Sequence, residues 1–188
     1  MPAEDIIVDS AFTLEQALKQ RQELPVPEEI LERQRIVEVL YYSFDDKLHK
    51  GQIVVDTSLA VDVKGAFDLI KRIKFPVYSV IPIVDKLFLY DDEKSMSLNN
   101  SSGFNYRMIA KTNKLSNHAF GRAIDINPAI NPYIREDYRY PEGVEYDSNL
   151  PGAMTADGKV VKYFKMHGWA WGGDWTDTKD YMHFEKPI

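Results

Sequence analysis

From Leu59 to Ile73 the apolar positions Leu59, Val63, Ala66, Phe67, Ile70 and Ile73 recur at steps of three and four, the period of one helical face. Asp56 stands ahead of them as a cap, and the helix is predicted to end near Lys74, before Phe75-Pro76. Upstream, Ile36 to Phe44 is rich in β-branched and aromatic residues, so a β-hairpin is predicted with a turn at Lys47 to Gly51 and a return arm at Gln52 to Val55. Val77 to Ile83 reads as a further strand, Asn99 to Gly103 as loop, and Ala123 to Ile126 as a short buried strand. Val160 to His167 reads as a helix stopped by Gly168, and Tyr181 to Glu185 as a last strand.

Thr13 with Gln16 three residues later predicts a capping box for a short helix to about Gln22, with Leu14, Ala17 and Leu18 on one face. Pro25 and Pro27 then break the chain, and the acidic stretch from Glu28 leads into the first strand. A boundary is placed at residue 34, separating a helical N-terminal extension (1–34) from one catalytic domain (35–188). The elements alternate without the regular rhythm of a doubly wound sheet. The expected fold is α+β, a single domain with a small central, mainly antiparallel sheet flanked by helices.

Composition removes several functions. The 188 residues suffice for one good core, and 44% hydrophobic with 28% charged residues is ordinary for a globular chain. The longest apolar runs, such as Val77 to Val84, fall short of the roughly 18 residues a membrane span needs, so no span is expected. Of the net charge of -6, residues 1 to 50 carry most, six Lys/Arg against eleven Asp/Glu. The remainder is near neutral and shows no basic patch interleaved with aromatics, so nucleic acid is not an expected partner. Without cysteine there is no disulfide framework, thiol nucleophile or Cys-ligated metal, and a zinc site must use His and carboxylates. Met1 to Ser10 lacks the charged head and apolar core of a signal peptide, so either export does not use that route or a leader has been removed.

Of the four histidines, His49 reads as part of a hairpin turn and His167 as a helix-end residue. The other two keep different company. His118 lies in SNHAFGRAID, with Asp125 seven positions on, and His183 lies in DYMHFE. Two imidazoles and a carboxylate form a ligand set that zinc accepts while leaving a fourth position open, as a catalytic site requires. A nearby carboxylate must then move the proton, and Asp180 is the candidate. Residues three apart do not share a face of a regular strand, so Asp180 is expected in a turn before His183. Trp169, Trp171 and Trp175 read as packing residues, and Gly121 and Gly172-Gly173 as shaping the backbone near the site.

NYR at 105 to 107, SNHAFGRAIDINPAINPY at 116 to 133, and HGWAWGGDW followed by KDYMHFE at 167 to 185 resemble the zinc peptidases that include VanY-type D-alanyl-D-alanine carboxypeptidases and L-alanyl-D-glutamate endopeptidases. The resemblance starts near Arg35 and leaves 1–34 outside. It implies a hedgehog-type fold, zinc held by His118, Asp125 and His183, and Asp180 as general base. It also implies that Arg107 polarises the scissile carbonyl, and that Ser116 orients substrate or a ligand. Lys111 departs from the pattern, standing where such proteins tend to have glycine, and bears on the local loop shape.

The function so implied is hydrolysis of a peptide bond in the peptidoglycan stem peptide, D-Ala-D-Ala or L-Ala-D-Glu. The chain would act as a monomer in the periplasm or cell envelope. The alternative is a catalytically silent zinc domain of the same fold that binds cell-wall or protein ligands. The joint presence of Asp180 and Arg107 favours catalysis.

Overall fold

The computed structural model describes residues 5–19, 24–136 and 138–187. Strand β1 (Ile7–Val8) and the one-turn helices α1 (Leu14–Ala17) and α2 (Glu28–Leu31) lead into the hairpin of β2 (Gln34–Tyr42) and β3 (Leu48–Asp56). The Thr13–Gln16 capping box is present, but α1 buries Ala17 while Leu14 is exposed; the expected continuation over Gln20 to Gln22 lies outside the described residues. β1 pairs parallel to β3, and Ala17 and Ile30 pack with Val54 and Phe104, so this early segment is laid against the hairpin.

The hairpin runs from Gln34 opposite Asp56 to Tyr42 opposite Leu48. Its turn is earlier than expected. Asp46 takes φ +60 and donates its N–H to the Ser43 carbonyl, while Asp45 accepts from the Lys47 N–H, the local bonding that favours aspartate in turns. His49 therefore lies within β3, with Nδ1 3.0 Å from an Asp9 oxygen.

Asp56 caps a 3-10 turn through the Ser58 N–H, and the chain continues as α3 (Ala60–Arg72). Val63, Ala66, Phe67 and Ile70 form its buried face in one cluster with Val39, Tyr41, Ile53 and Val55 of the hairpin. Truncating a side chain as enclosed as Phe67 costs about 3–5 kcal/mol. Lys74 at φ +52 ends the helix, with Phe75 N–H reaching the Ile70 carbonyl and Lys74 N–H that of Lys71, before Pro76.

The predicted strand at Val77 to Ile83 shrinks to β4 (Ser79–Val80), because Val77 bonds to Tyr42 and Pro82 lacks an N–H for a ladder. After α4 (Asp92–Ser97), the segment expected to be loop holds β5 (Asn100–Ser101), parallel to β4, and Ser102 bridges to Asp125. Then follow β6 (Ala123–Asp125), β7 (Tyr133–Arg135), β8 (Tyr138–Tyr140), α5 (Lys159–Met166), β9 (Ala170–Trp171), β10 (Lys179–Asp180) and β11 (His183–Glu185).

The fold is α+β, with the strands divided among small sheets instead of one central sheet: β1-β3-β2, β4-β5, β6-β11-β9 and β10-β7-β8. Strands of two or three residues offer too few ladder bonds to merge into a wider sheet. Ile124 of β6 and Phe184 of β11 join the main core beside Phe164 of α5. The β6-β11 pair is thus rooted in the most tightly packed part of the protein.

Candidate active site

β6 and β11 are antiparallel with His183 directly opposite Asp125, so both side chains leave the same face. His118 reaches that face from a 3-10 turn, Asn117–Phe120, between β5 and β6. Ser116 caps the turn, its buried hydroxyl accepting the His118 N–H at 3.3 Å. The hydroxyl is thereby engaged in capping the His118 turn. Gly121 closes the turn at φ +66, where a Cβ would stand 2.0 Å from Gln34 Oε1 and 2.6 Å from the Asp56 nitrogen, so only glycine fits.

The three side chains converge. His118 Nε2 lies 3.1 Å from Asp125 Oδ2, His183 Nδ1 lies 3.0 Å from Asp125 Oδ1, and all three residues are buried. The outer nitrogens are committed: His118 Nδ1 is 2.7 Å from the Gly103 carbonyl and His183 Nε2 is 3.0 Å from Glu185 Oε2. A carbonyl and a carboxylate can only accept, so each outer nitrogen carries a proton, and each inner nitrogen, facing Asp125, needs either a second proton or a cation between itself and the carboxylate. Two inner nitrogens and a carboxylate then share one enclosed spot, which favours a cation. Their ligand atoms lie within 4.8 Å of one another, so the group could hold a metal ion. Among the described residues it is the one such group of three.

Without metal, a second proton on His183 supplies the positive charge that the spot demands. Burial works to lower the His183 pKa, yet its bonds to Asp125 and Glu185 outweigh that and push it up to about 10. Burial works to raise that of Asp125, and the two histidines hold it far below the usual carboxylate range instead.

Asp180 does not sit in a turn. It ends β10, opposite Tyr133 of β7, and the turn is Tyr181-Met182, which carries the chain from one sheet to the next. That change of sheet releases the three-residue spacing from strand alternation. Gly172 allows β10 to come close, since a Cβ there would meet Asp180 O at 2.5 Å and Asp180 Cβ at 2.7 Å. Asp180 Oδ1 is enclosed and has no hydrogen-bond partner. Burial pushes its carboxyl up to about 7; His183 and Arg107 pull against that shift, while Asp125 and Asp92 add to it.

Arg107 approaches by the backbone that flanks His118, with Ser116 N–H bonded to the Arg107 carbonyl and Asn105 N–H to that of His118. Its Nε lies 2.9 Å from Asp92 Oδ2. Trp169 and Trp171 are buried packing residues, whereas the Trp175 ring lies 5.5 Å from that of His183. His49 and His167 lie apart from the cluster, bonded to Asp9 and to the Tyr163 carbonyl.

The expectations from sequence did not include Glu185, whose Oε2 also accepts from Asn117 Nδ2 at 2.7 Å. The signal was present, because a residue two beyond His183 on a strand shares its face. Asp92, fifteen positions before Arg107, gave no such signal.

Residues 110–186 match the family described as D-alanyl-D-alanine carboxypeptidase. No curated protein and no solved structure gives a significant match. The matched stretch contains Ser116, His118, Asp125, Asp180 and His183, and the resemblance read from the motifs is to the same group. Over this stretch, which is less than half of its length, the chain is similar to the D-alanyl-D-alanine carboxypeptidase family.

Proposed function

We propose that the protein is a zinc-dependent peptidase that hydrolyses a bond in the peptidoglycan stem peptide, of D-Ala-D-Ala carboxypeptidase or L-Ala-D-Glu endopeptidase type. The observation that carries this reading is Asp180, half-buried, with one enclosed oxygen that has no hydrogen-bond partner and a carboxyl pushed up to about 7 by burial, next to Gly172 and three residues before His183. A purely ligand-binding domain has no use for a near-neutral carboxyl there, whereas a general base needs a pKa close to the working pH.

The residues fit zinc by donor type, two nitrogens and a carboxylate, and by number, three. Zinc held this way supplies a Lewis acid and makes hydroxide accessible near neutral pH. Asp180 takes the proton of the attacking water and returns it to the leaving amine. The Arg107 guanidinium, permanently charged, meets the oxygen on which negative charge develops. Glu185 holds the His183 ring in its ligating tautomer, and the Ser116 cap holds the His118 turn. Residues 35–188 form the catalytic unit with 1–34 as an extension, working as a monomer in the periplasm or cell envelope.

Digestion of purified muropeptides with defined stems tests the reading. Zinc-loaded protein should release free D-Ala or cleave after L-Ala, and Asp180→Asn should not. Retention of bound muropeptide without any cleavage would instead support the silent binding domain.

A further inference from the structure

A guanidinium stabilises a developing charge only if it is held still, and Arg107 is a long, partly exposed side chain with much rotamer freedom to lose. Its surroundings show what restrains it. Asp92, at the start of α4, places Oδ2 2.9 Å from Arg107 Nε, an ion pair lying off linear hydrogen-bond geometry. The other oxygen, Oδ1, accepts from Asn105 Nδ2 at 3.0 Å. Asn105 is itself buried, and its backbone N–H donates to the His118 carbonyl at 3.1 Å. A continuous path therefore runs from the His118 turn through Asn105 and Asp92 to the arginine.

The pairing uses the Nε edge of the guanidinium. The terminal nitrogens are left with one long contact among the described residues, Nη1 to the Met108 carbonyl at 3.5 Å. We propose that Asp92, oriented by Asn105, is a positioning residue that fixes Arg107 by its Nε edge and leaves the terminal nitrogens free for the scissile carbonyl. This rests on the peptidase reading above and on the role given there to Arg107.

An ion pair whose members are 29% and 21% exposed adds little to folding stability. Its value lies in where the guanidinium is kept, so substitution should be read in turnover and not in melting. Asp92→Asn keeps the size and the bond from Asn105 but loses the charge. In the zinc-loaded enzyme it should lower kcat on the order of 10- to 100-fold, the effect of a misplaced catalytic group, with KM, zinc content and Tm close to those of the parent. In an Arg107→Ala background, assayed above the pH at which Asp180 titrates so that the Asp92 charge no longer bears on its protonation, the same substitution should change nothing further, because the group it positions is gone.

A kcat for Asp92→Asn equal to the parent's overturns the proposal, and so does an undiminished loss in the Arg107→Ala background. Loss of Tm or zinc in step with activity shows a structural role and overturns it too. If the parent protein hydrolyses no stem peptide at all, the peptidase reading itself fails; hydrolysis by the parent with a silent Asp92 removes the positioning role alone.

Discussion

His118 Nε2 and His183 Nδ1 face each other at 3.2 Å, with an Asp125 oxygen beside each. Neither ring can turn its inner nitrogen away without giving up the Gly103 carbonyl or Glu185. Without a metal, a proton shared between His183 and Asp125 occupies the spot, and a metal cation would displace it.

Zinc should therefore stabilise the fold as well as serve the reaction. At free metal about a thousandfold above Kd, binding to the native state alone contributes about 4 kcal/mol. Differential scanning fluorimetry with zinc and then chelator should show a reversible rise and fall in Tm. His118→Ala should abolish the response, since it removes a ligand nitrogen from a set of three. A Tm indifferent to metal in the parent protein would rule out the site.

Glu185 should tune metal affinity without being a ligand. Replacing it by Ala frees the His183 ring to rotate, and the loss of such an outer partner costs roughly 10- to 100-fold in affinity. Competition titration with a chromophoric chelator measures this. An unchanged Kd would mean that the bond to Glu185 does not hold the ring.

On the proposed reading, Asp180 should set the pH dependence of hydrolysis. A base must be unprotonated, so kcat/KM should fall as pH drops through the carboxyl pKa, which is about 7 without metal and lower with a cation nearby. Asp180→Asn should remove that limb and cost roughly 10²- to 10⁴-fold in rate while keeping zinc. The sign for stability follows from the raised value. The native protein holds this proton where the unfolded chain has lost it, so the contribution is present below the ordinary Asp value of about 4 and is lost as pH rises through about 7. In metal-free protein Asp180→Asn should therefore raise Tm above pH 7; no gain there would show that the carboxyl is not enclosed.

Gly172→Ala tests the approach of β10. The added methyl would press on Asp180 O and Cβ, so it should displace the base while leaving His118, Asp125 and His183 in place. We expect a large drop in kcat with metal content retained, checked by single-turnover assay and elemental analysis. Parent-like turnover would show that the backbone yields without moving Asp180.

Local signals in the sequence gave the hairpin, the Asp56 cap and the face of α3, because each is written within a few neighbouring residues. The grouping of His118, Asp125 and His183 was suggested by the motifs, and the three side chains do converge, with His183 opposite Asp125. Long-range pairing was not legible. Asn100–Ser101 is polar and short, and it becomes a strand only because β4 and Asp125 meet its backbone groups. The place of Asp180 was missed for the same reason, since Tyr133 of β7 recruits it into a strand. Asp92 acquires its meaning only once α4 is folded against Arg107. Lys111, the departure from the family pattern, takes φ +61, so the backbone keeps the conformation that glycine favours.

The Tyr181-Met182 turn places Asp125 and His183 on one sheet and Asp180 on another, the first two rooted in the core and the last joined to the β7–β8 hairpin. On the proposed reading, capture of a metal and turnover of a peptide would then be inherited and lost separately. Drift in the outer hairpin would shift Asp180 and extinguish hydrolysis while the ligand-bearing strands stayed intact. A lineage could thus exchange an enzyme for a receptor without passing through an unfolded ancestor.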